Sequence, residues 1–191
     1  MIGRVRTRPP APVSVGGWTE VTSQSYRPPA AGSVGIVTRT NIAAPEFAWD
    51  DSDPQGFRAG MARLGALVGA KETGVSVYEL PPGQAICPYH YECGEEEWLL
   101  VLSGNPTLRT ADGEERLDPW DVACFPRGPE GAHGIRNETA EPARVLMFST
   151  VVHPTATVYP DSDKVGVWVG DPEVDMTVRR SAKVEYYDGE T

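Results

Sequence analysis

The chain holds only three histidines, and two of them stand in a pattern that can do chemistry. His90 is followed two residues later by Glu92, then by Glu97. His133 comes some forty residues further on. Two imidazoles and two carboxylates are a donor set for one divalent metal ion, provided the fold brings them to a common point. The third histidine, His153, sits in Val-Val-His-Pro with no such company and reads as structural.

Strands are the elements that can position these groups. Residues two apart on a strand share a face, so His90 and Glu92 would look into one interior while Tyr91 looks away. Glu97 opens the apolar run Trp98-Leu99-Leu100-Val101-Leu102, which reads as the next strand. The acidic turn Cys93-Gly94-Glu95-Glu96 lets that strand come back beside the first, with Glu95 and Glu96 left in solvent. His133 must arrive from a third strand. Three strands aimed at one interior point to a barrel-like β-sandwich rather than a flat sheet.

The stretch from Gly83 to Asn137 resembles the cupin superfamily. The first cupin motif is commonly Gly-x5-His-x-His-x3–4-Glu-x6-Gly, and the second is Gly-x5-Pro-x-Gly-x2-His-x3-Asn. Here the first contains Gly83, His90, Glu92, Glu97 and Gly104, and the Glu-x6-Gly spacing selects Glu97 over Glu95 and Glu96. The second contains Pro126, Gly128, His133 and Asn137. Four departures stand out. Glu92 replaces the second histidine. His90 comes one residue late. Two extra residues separate Gly128 from His133. Trp120 replaces the leading glycine of the second motif.

The resemblance implies an all-β double-stranded β-helix, a jelly-roll barrel, covering about residues 64–152. It also implies a divalent metal (Fe, Mn or Zn, with Ni possible) held by His90, Glu92, Glu97 and His133. Relative to the usual three-histidine shell, the extra carboxylate would weaken the ion as a Lewis acid and favour harder ions such as Mn²⁺ or Fe²⁺. Glu92 has a second reading as a catalytic general base beside the ion. That leaves His90, Glu97 and His133 as a two-histidine, one-carboxylate set suited to non-haem Fe(II). The implied function is dioxygenase, isomerase or lyase chemistry on a small organic molecule. The alternative is a non-catalytic ligand-binding module, metal-free or structurally metallated. The third is a structural dimer with a vestigial cavity. Homodimerisation through a sheet edge, with the N-terminal arm as a swapped strand, belongs to the same resemblance. Within the superfamily the chain looks most like small single-domain cupins that carry Glu-Glu-Glu-Trp (Glu95–Trp98) and Tyr-Pro-Asp-Ser (Tyr159–Ser162).

Composition bounds the rest. At 191 residues with a formal charge of −10, one acidic domain is expected, and phosphate backbones and anionic membranes would be repelled. No apolar run approaches a membrane span, and Pro9, Pro10 and Pro12 stand where a signal peptide would have its apolar core. The expected location is the cytoplasm. Cys87, Cys93 and Cys124 lack CxxC spacing and read as small apolar fillers, with Cys93, near the proposed site, also a candidate thiolate ligand.

Three regions follow: an extended arm over 1–32, the β-barrel over 33–170 with its motif core at 83–137, and a polar tail over 171–191. The pattern predicts a first strand at 33–40 and a short helix through Gly56–Ala59. It predicts a hairpin joining Ala66–Ala70 to Val75–Leu80, and a second hairpin about Ala111–Glu114. Further strands are expected at 122–125, 144–152, 155–159 and 165–169, the run from Arg144 being apolar enough for the middle of a sheet. Tyr89, Tyr91, Trp98 and Trp120 read as packing or interface residues, and Arg127 and Arg136 as solvated surface.

Overall fold

Alternation along one strand sets the relation between core and site. In Glu97–Ser103, Leu99 and Val101 are fully buried while the residues between them face the other way. Glu97 shares the face of Leu99 and Val101, at the end of the same row. The apolar core therefore runs directly into a carboxylate.

The computed structural model describes residues 38–191, so the arm at 1–32 and most of the strand expected at 33–40 lie outside the described residues. Residues 38–40 form no strand. In chain order the strands are β1 (Gly60–Arg63), β2 (Thr73–Leu80), β3 (Tyr91–Glu92), β4 (Glu97–Ser103), β5 (Thr107–Thr110), β6 (Gly113–Arg116), β7 (Val122–Phe125), β8 (Gly134–Arg136), β9 (Ala143–Thr150), β10 (Thr155–Tyr159), β11 (Lys164–Trp168) and β12 (Met176–Arg179). One sheet has the order β1-β2-β9-β4-β7, a second β12-β11-β10-β3, and a third β6-β5-β8. Each strand pairing within these sheets is antiparallel. The main core joins Leu80, Leu99, Val101, Phe125 and Val145 of the first sheet to Leu108 and Ile135 of the third, together with Leu117. As its apolar run requires, β9 lies in the middle of the first sheet.

Two expectations near the start of the fold are corrected. Ala66–Ala70 is not a strand: Leu64–Val68 forms a short helix, α1, ended by Gly69 at φ 75°. Its anchor is Leu64, buried with Ala62 and Val77 in a second cluster on the back of the first sheet. The preceding strand that pairs with β2 is β1, from Gly60↔Glu79 to Arg63↔Ser76, with β9 on the other side of β2. Gly56–Ala59 is not helical either. The Gln84 side-chain oxygen accepts the backbone N–H groups of Gly56 (3.1 Å) and Arg58 (2.9 Å), which holds this stretch open as a loop.

Within the C-terminal tail, Met176–Arg179 forms β12 and extends the second sheet. The cysteines are not core fillers: Cys93 and Cys124 are exposed and Cys87 is half-buried. Trp120 is 71% exposed, so it is no core residue, and its φ of 78° is the left-handed conformation that the motif's glycine would adopt without strain. Arg136 is not simply solvated. It forks between Glu114 (2.7 Å) and Glu138 (2.9 Å).

Candidate metal centre

The two motif histidines meet because their backbones pair. His90 N–H donates to His133 O (3.0 Å) and His133 N–H donates to His90 O (2.8 Å). Directly opposed residues of an antiparallel pair carry their side chains on the same face, so the rings are neighbours, with centroids 4.7 Å apart. The pairing continues backward. Ile86 N–H donates to Ile135 O, Asn137 N–H to Gln84 O, and Gly83 N–H to Asn137 O.

The backbone pairs Ala85 with Arg136 and His90 with His133, so the first segment carries more residues than the second between the same two bridges. The excess is a bulge at Cys87-Pro88-Tyr89, where Pro88 has no N–H to offer a ladder. This bulge absorbs the late position of His90. The extra residues before His133 form a 3-10 turn, Pro129–Gly131. Both irregularities serve the rings. His90 Nδ1 lies 3.0 Å from Pro88 O, and His133 Nδ1 lies 2.9 Å from Gly131 O. A carbonyl only accepts, so each Nδ1 carries a hydrogen and each Nε2 is turned inward. Metal-binding histidines are oriented in this way. Phe125 stacks on His133 at 3.7 Å between ring centroids and holds its plane.

Glu97 reaches the same point from β4. Its Oε2 is 3.6 Å from His90 Nε2 and 3.6 Å from His133 Nε2. One ligand atom from each of His90, Glu97 and His133 lies within 4.8 Å of the other two. Glu97 Oε2 and His133 Nε2 are buried, and neither has a hydrogen-bond partner among the described residues. Buried polar atoms without partners are costly, so this pair calls for a shared electrophile. Two ligands each about 2.1 Å from one ion can stand at most about 4.2 Å apart, and both 3.6 Å spans satisfy that limit. The donor set and its geometry fit a divalent metal.

Glu92 lies beside this group without joining it. Its Oε1 is 3.7 Å from His90 Nε2, while both carboxylate oxygens stand 2.9 Å from Thr157 Oγ1. The Thr157 hydroxyl in turn accepts the indole N–H of Trp168 at 2.7 Å. Thr157 and Trp168 escaped the sequence reading, because only the strand register places them under Glu92. His153 and the acid pair Glu95 and Glu96 take no part in the group. Glu95 accepts Val152 N–H, and Glu96 accepts the Trp98 indole N–H.

The protonation balance follows from burial and mutual charge. Burial pushes Glu92 up to about 7, opposed by the Thr157 hydrogen bond and reinforced by the nearby Glu97 charge. Burial would raise Glu97 too, but the two histidines outweigh it and hold it below the usual carboxylate range. Burial lowers His133 to about 4, and the His90 charge acts in the same direction. For His90, burial is outweighed by the Cys87 sulfur and the Glu97 carboxylate, so its affinity for a proton rises.

The group opens on a cavity of about 270 Å³. Phe57, Met61, Tyr78, Ile86 and Met147 line it, Asp53 is its other charged residue besides the site's own, and Glu92 is not part of the wall.

A family model described as "Cupin domain" matches residues 76–149. Residues 76–149 are a cupin domain. Among solved structures, the chain is similar to a sugar phosphate isomerase from Silicibacter pomeroyi, at 24% identity and TM-score 0.67, over 79% of this chain and 98% of that one. A structure from Acidithiobacillus ferrooxidans, provisionally described as a sugar phosphate isomerase, matches at 25% identity and TM-score 0.62, over 68% and 81%. A polyketide cyclase from Streptomyces resistomycificus matches at 22% identity and TM-score 0.50, over 59% and 78%. No curated protein sequence matches the chain. The fold is the double-stranded β-helix that the resemblance implied, and the described residues hold no helix long and apolar enough to cross a membrane.

Proposed function

We propose that this cupin is a metal-dependent enzyme acting on a small organic molecule of dioxygenase, isomerase or lyase type. His90, Glu97 and His133 would hold one divalent ion, Fe, Mn, Zn or Ni, with Glu92 on its flank. The observation that carries the reading is the pair of buried, partnerless atoms, Glu97 Oε2 and His133 Nε2, turned toward each other at 3.6 Å. When bound, such an ion supplies Lewis-acid polarisation of a substrate oxygen.

The rest is the work of the chain. Pro88 O and Gly131 O fix the rings, Phe125 holds His133, and the apolar wall excludes water from the substrate. The wall also supports a substrate class. Among the described residues no lysine or arginine lines the cavity, while Asp53 and Glu97 do. With no cationic side chain to take a phosphate and a largely apolar wall, a neutral, largely apolar molecule fits better than a sugar phosphate.

The reading extends to a homodimer. β7 is an edge strand, and Val122 on it is exposed, which leaves an apolar edge for a second copy. Thermal unfolding with Mn²⁺, Fe²⁺, Zn²⁺ or Ni²⁺ added tests the metal claim. At least one ion should raise the midpoint of the native chain and leave His133→Ala unmoved. Equal shifts in both proteins would refute it.

A further inference from the structure

Glu92 is held by a row of side chains that the ligand triad does not need. In the second sheet, Thr157 of β10 stands directly opposite Glu92 of β3 on one side and Gly166 of β11 on the other. Trp168 is two residues beyond Gly166, on the same face of β11. A Cβ at position 166 would lie 2.5 Å from the Trp168 ring. The glycine thus leaves the space in which the indole lies back over its own strand. From there its Nε1 reaches Thr157 Oγ1 at 2.7 Å.

The direction of these hydrogen bonds is fixed by chemistry. Indole N–H is a donor only, so the Thr157 oxygen accepts from it. The single Thr157 proton must then go to Glu92. Thr157 is 3% exposed, so water cannot readily substitute for either partner. The relay runs one way, from Trp168 through Thr157 to the carboxylate.

Glu92 is thereby kept at a defined place. Its carboxylate is 3.7 Å from His90 Nε2, yet it is not among the residues whose ligand atoms lie within 4.8 Å of one another. Ligands of one ion span at most about 4.2 Å, so Glu92 would have to leave Thr157 to share an ion with the triad. It also takes no part in lining the cavity.

We infer that Thr157 and Trp168, with Gly166 making room, are positioning residues that hold Glu92 beside the metal centre and out of its ligand set. The site then has three protein ligands, with its open positions on the cavity side. This rests on the metal-centre reading above, and it assigns Glu92 the flanking position that the general-base reading needs rather than that of a fourth ligand.

The experiment has a metal-free and a metal-bound arm. In chelator-treated protein, Thr157→Val, Glu92→Gln and the double variant form a cycle read by urea unfolding. The midpoint shifts of the single variants should fail to add, because the two side chains share one contact. Additive shifts would overturn the relay. In the second arm Co²⁺ is titrated and its visible spectrum reports coordination. Glu92→Gln should leave the spectrum of the native site unchanged and alter affinity less than about threefold, whereas a lost ligand costs about tenfold or more. Thr157→Val and Trp168→Phe should each change the spectrum and tighten Co²⁺ about tenfold as Glu92 joins the ion. Adding Glu92→Gln should abolish that change, which a merely structural role for Thr157 would not produce. A Glu92→Gln variant with an altered spectrum or tenfold weaker binding would overturn the inference. A native protein that takes no Co²⁺ while the metal-free cycle still shows coupling would overturn the metal centre, and with it the ligand role assigned here, while leaving the contact standing.

Discussion

Replacing Asn137 with alanine should cost the fold about 4 kcal/mol and leave the metal-binding group chemically intact. Asn137 ends the second cupin motif, yet it touches neither histidine ring. Its side chain is wholly buried. Nδ2 donates to Leu80 O at 2.8 Å and to Glu141 O at 2.8 Å, and Oδ1 accepts Thr139 N–H at 2.9 Å and the Thr139 hydroxyl at 2.6 Å. One amide thus ties the end of β2 to the turn that enters β9. Alanine leaves the Leu80 carbonyl orphaned in the core, at about 2 kcal/mol, within the usual range for a buried acceptor. The Glu141 carbonyl and the Thr139 N–H lie nearer solvent and lose about 1 kcal/mol each. The sum is a large share of the 5–15 kcal/mol that stabilises a typical domain. Urea unfolding of chelator-treated protein measures it through the midpoint at constant m. A loss below about 1.5 kcal/mol would refute the view that this asparagine is a structural tie.

Three further outcomes follow from the same structure. Gly104→Ala places a Cβ 2.7 Å from Ala143 Cα at a φ of 74°, so it should destabilise by about 3 kcal/mol or more, read by the denaturation midpoint. Trp120→Gly relieves a left-handed, solvent-exposed residue and should stabilise by about 0.5–1 kcal/mol in the same assay, the relief exceeding the extra freedom glycine has in the unfolded chain. The Arg136 fork holds the Glu114 and Glu138 carboxyls below their usual value of 4.5. A depressed carboxylate adds stability above its unfolded pKa and loses it as pH falls through the folded one. Arg136→Gln should therefore lower stability near neutrality and flatten the acid side of the stability–pH curve, the difference from the native chain shrinking as pH falls below about 4.5 and as salt is added.

The legible and illegible parts of the chain divide by range of interaction. His90, Glu97, Gly104 and His133 could be placed because the cupin motifs they resemble specify their order and spacing, and a strand's period specifies which residues share a face. The strands β7, β9 and β10 were legible for the same reason, each being an apolar or β-branched run bounded by turn residues. α1 was misread as a strand because five residues are too few to show a period, and its one buried anchor, Leu64, is decided by a sheet the local pattern cannot see. The bulge at Cys87-Pro88-Tyr89 and the turn at Pro129–Gly131 looked like mere offsets from a motif. Their use, presenting Pro88 O and Gly131 O to the rings, exists only once the two segments pair. Thr157 and Trp168 were invisible for a similar reason, since nothing but register brings residues so far along the chain beneath Glu92.

The central claim is that His90, Glu97 and His133 share one divalent ion. Elemental analysis of protein purified without an affinity tag, then dialysed against each ion in turn, tests it most directly. The account predicts close to one ion per chain, with occupancy at limiting metal lowered about ten- to a hundredfold by Glu97→Ala or by His133→Ala. Occupancy that is negligible in the native chain, or unchanged in either variant, would contradict it.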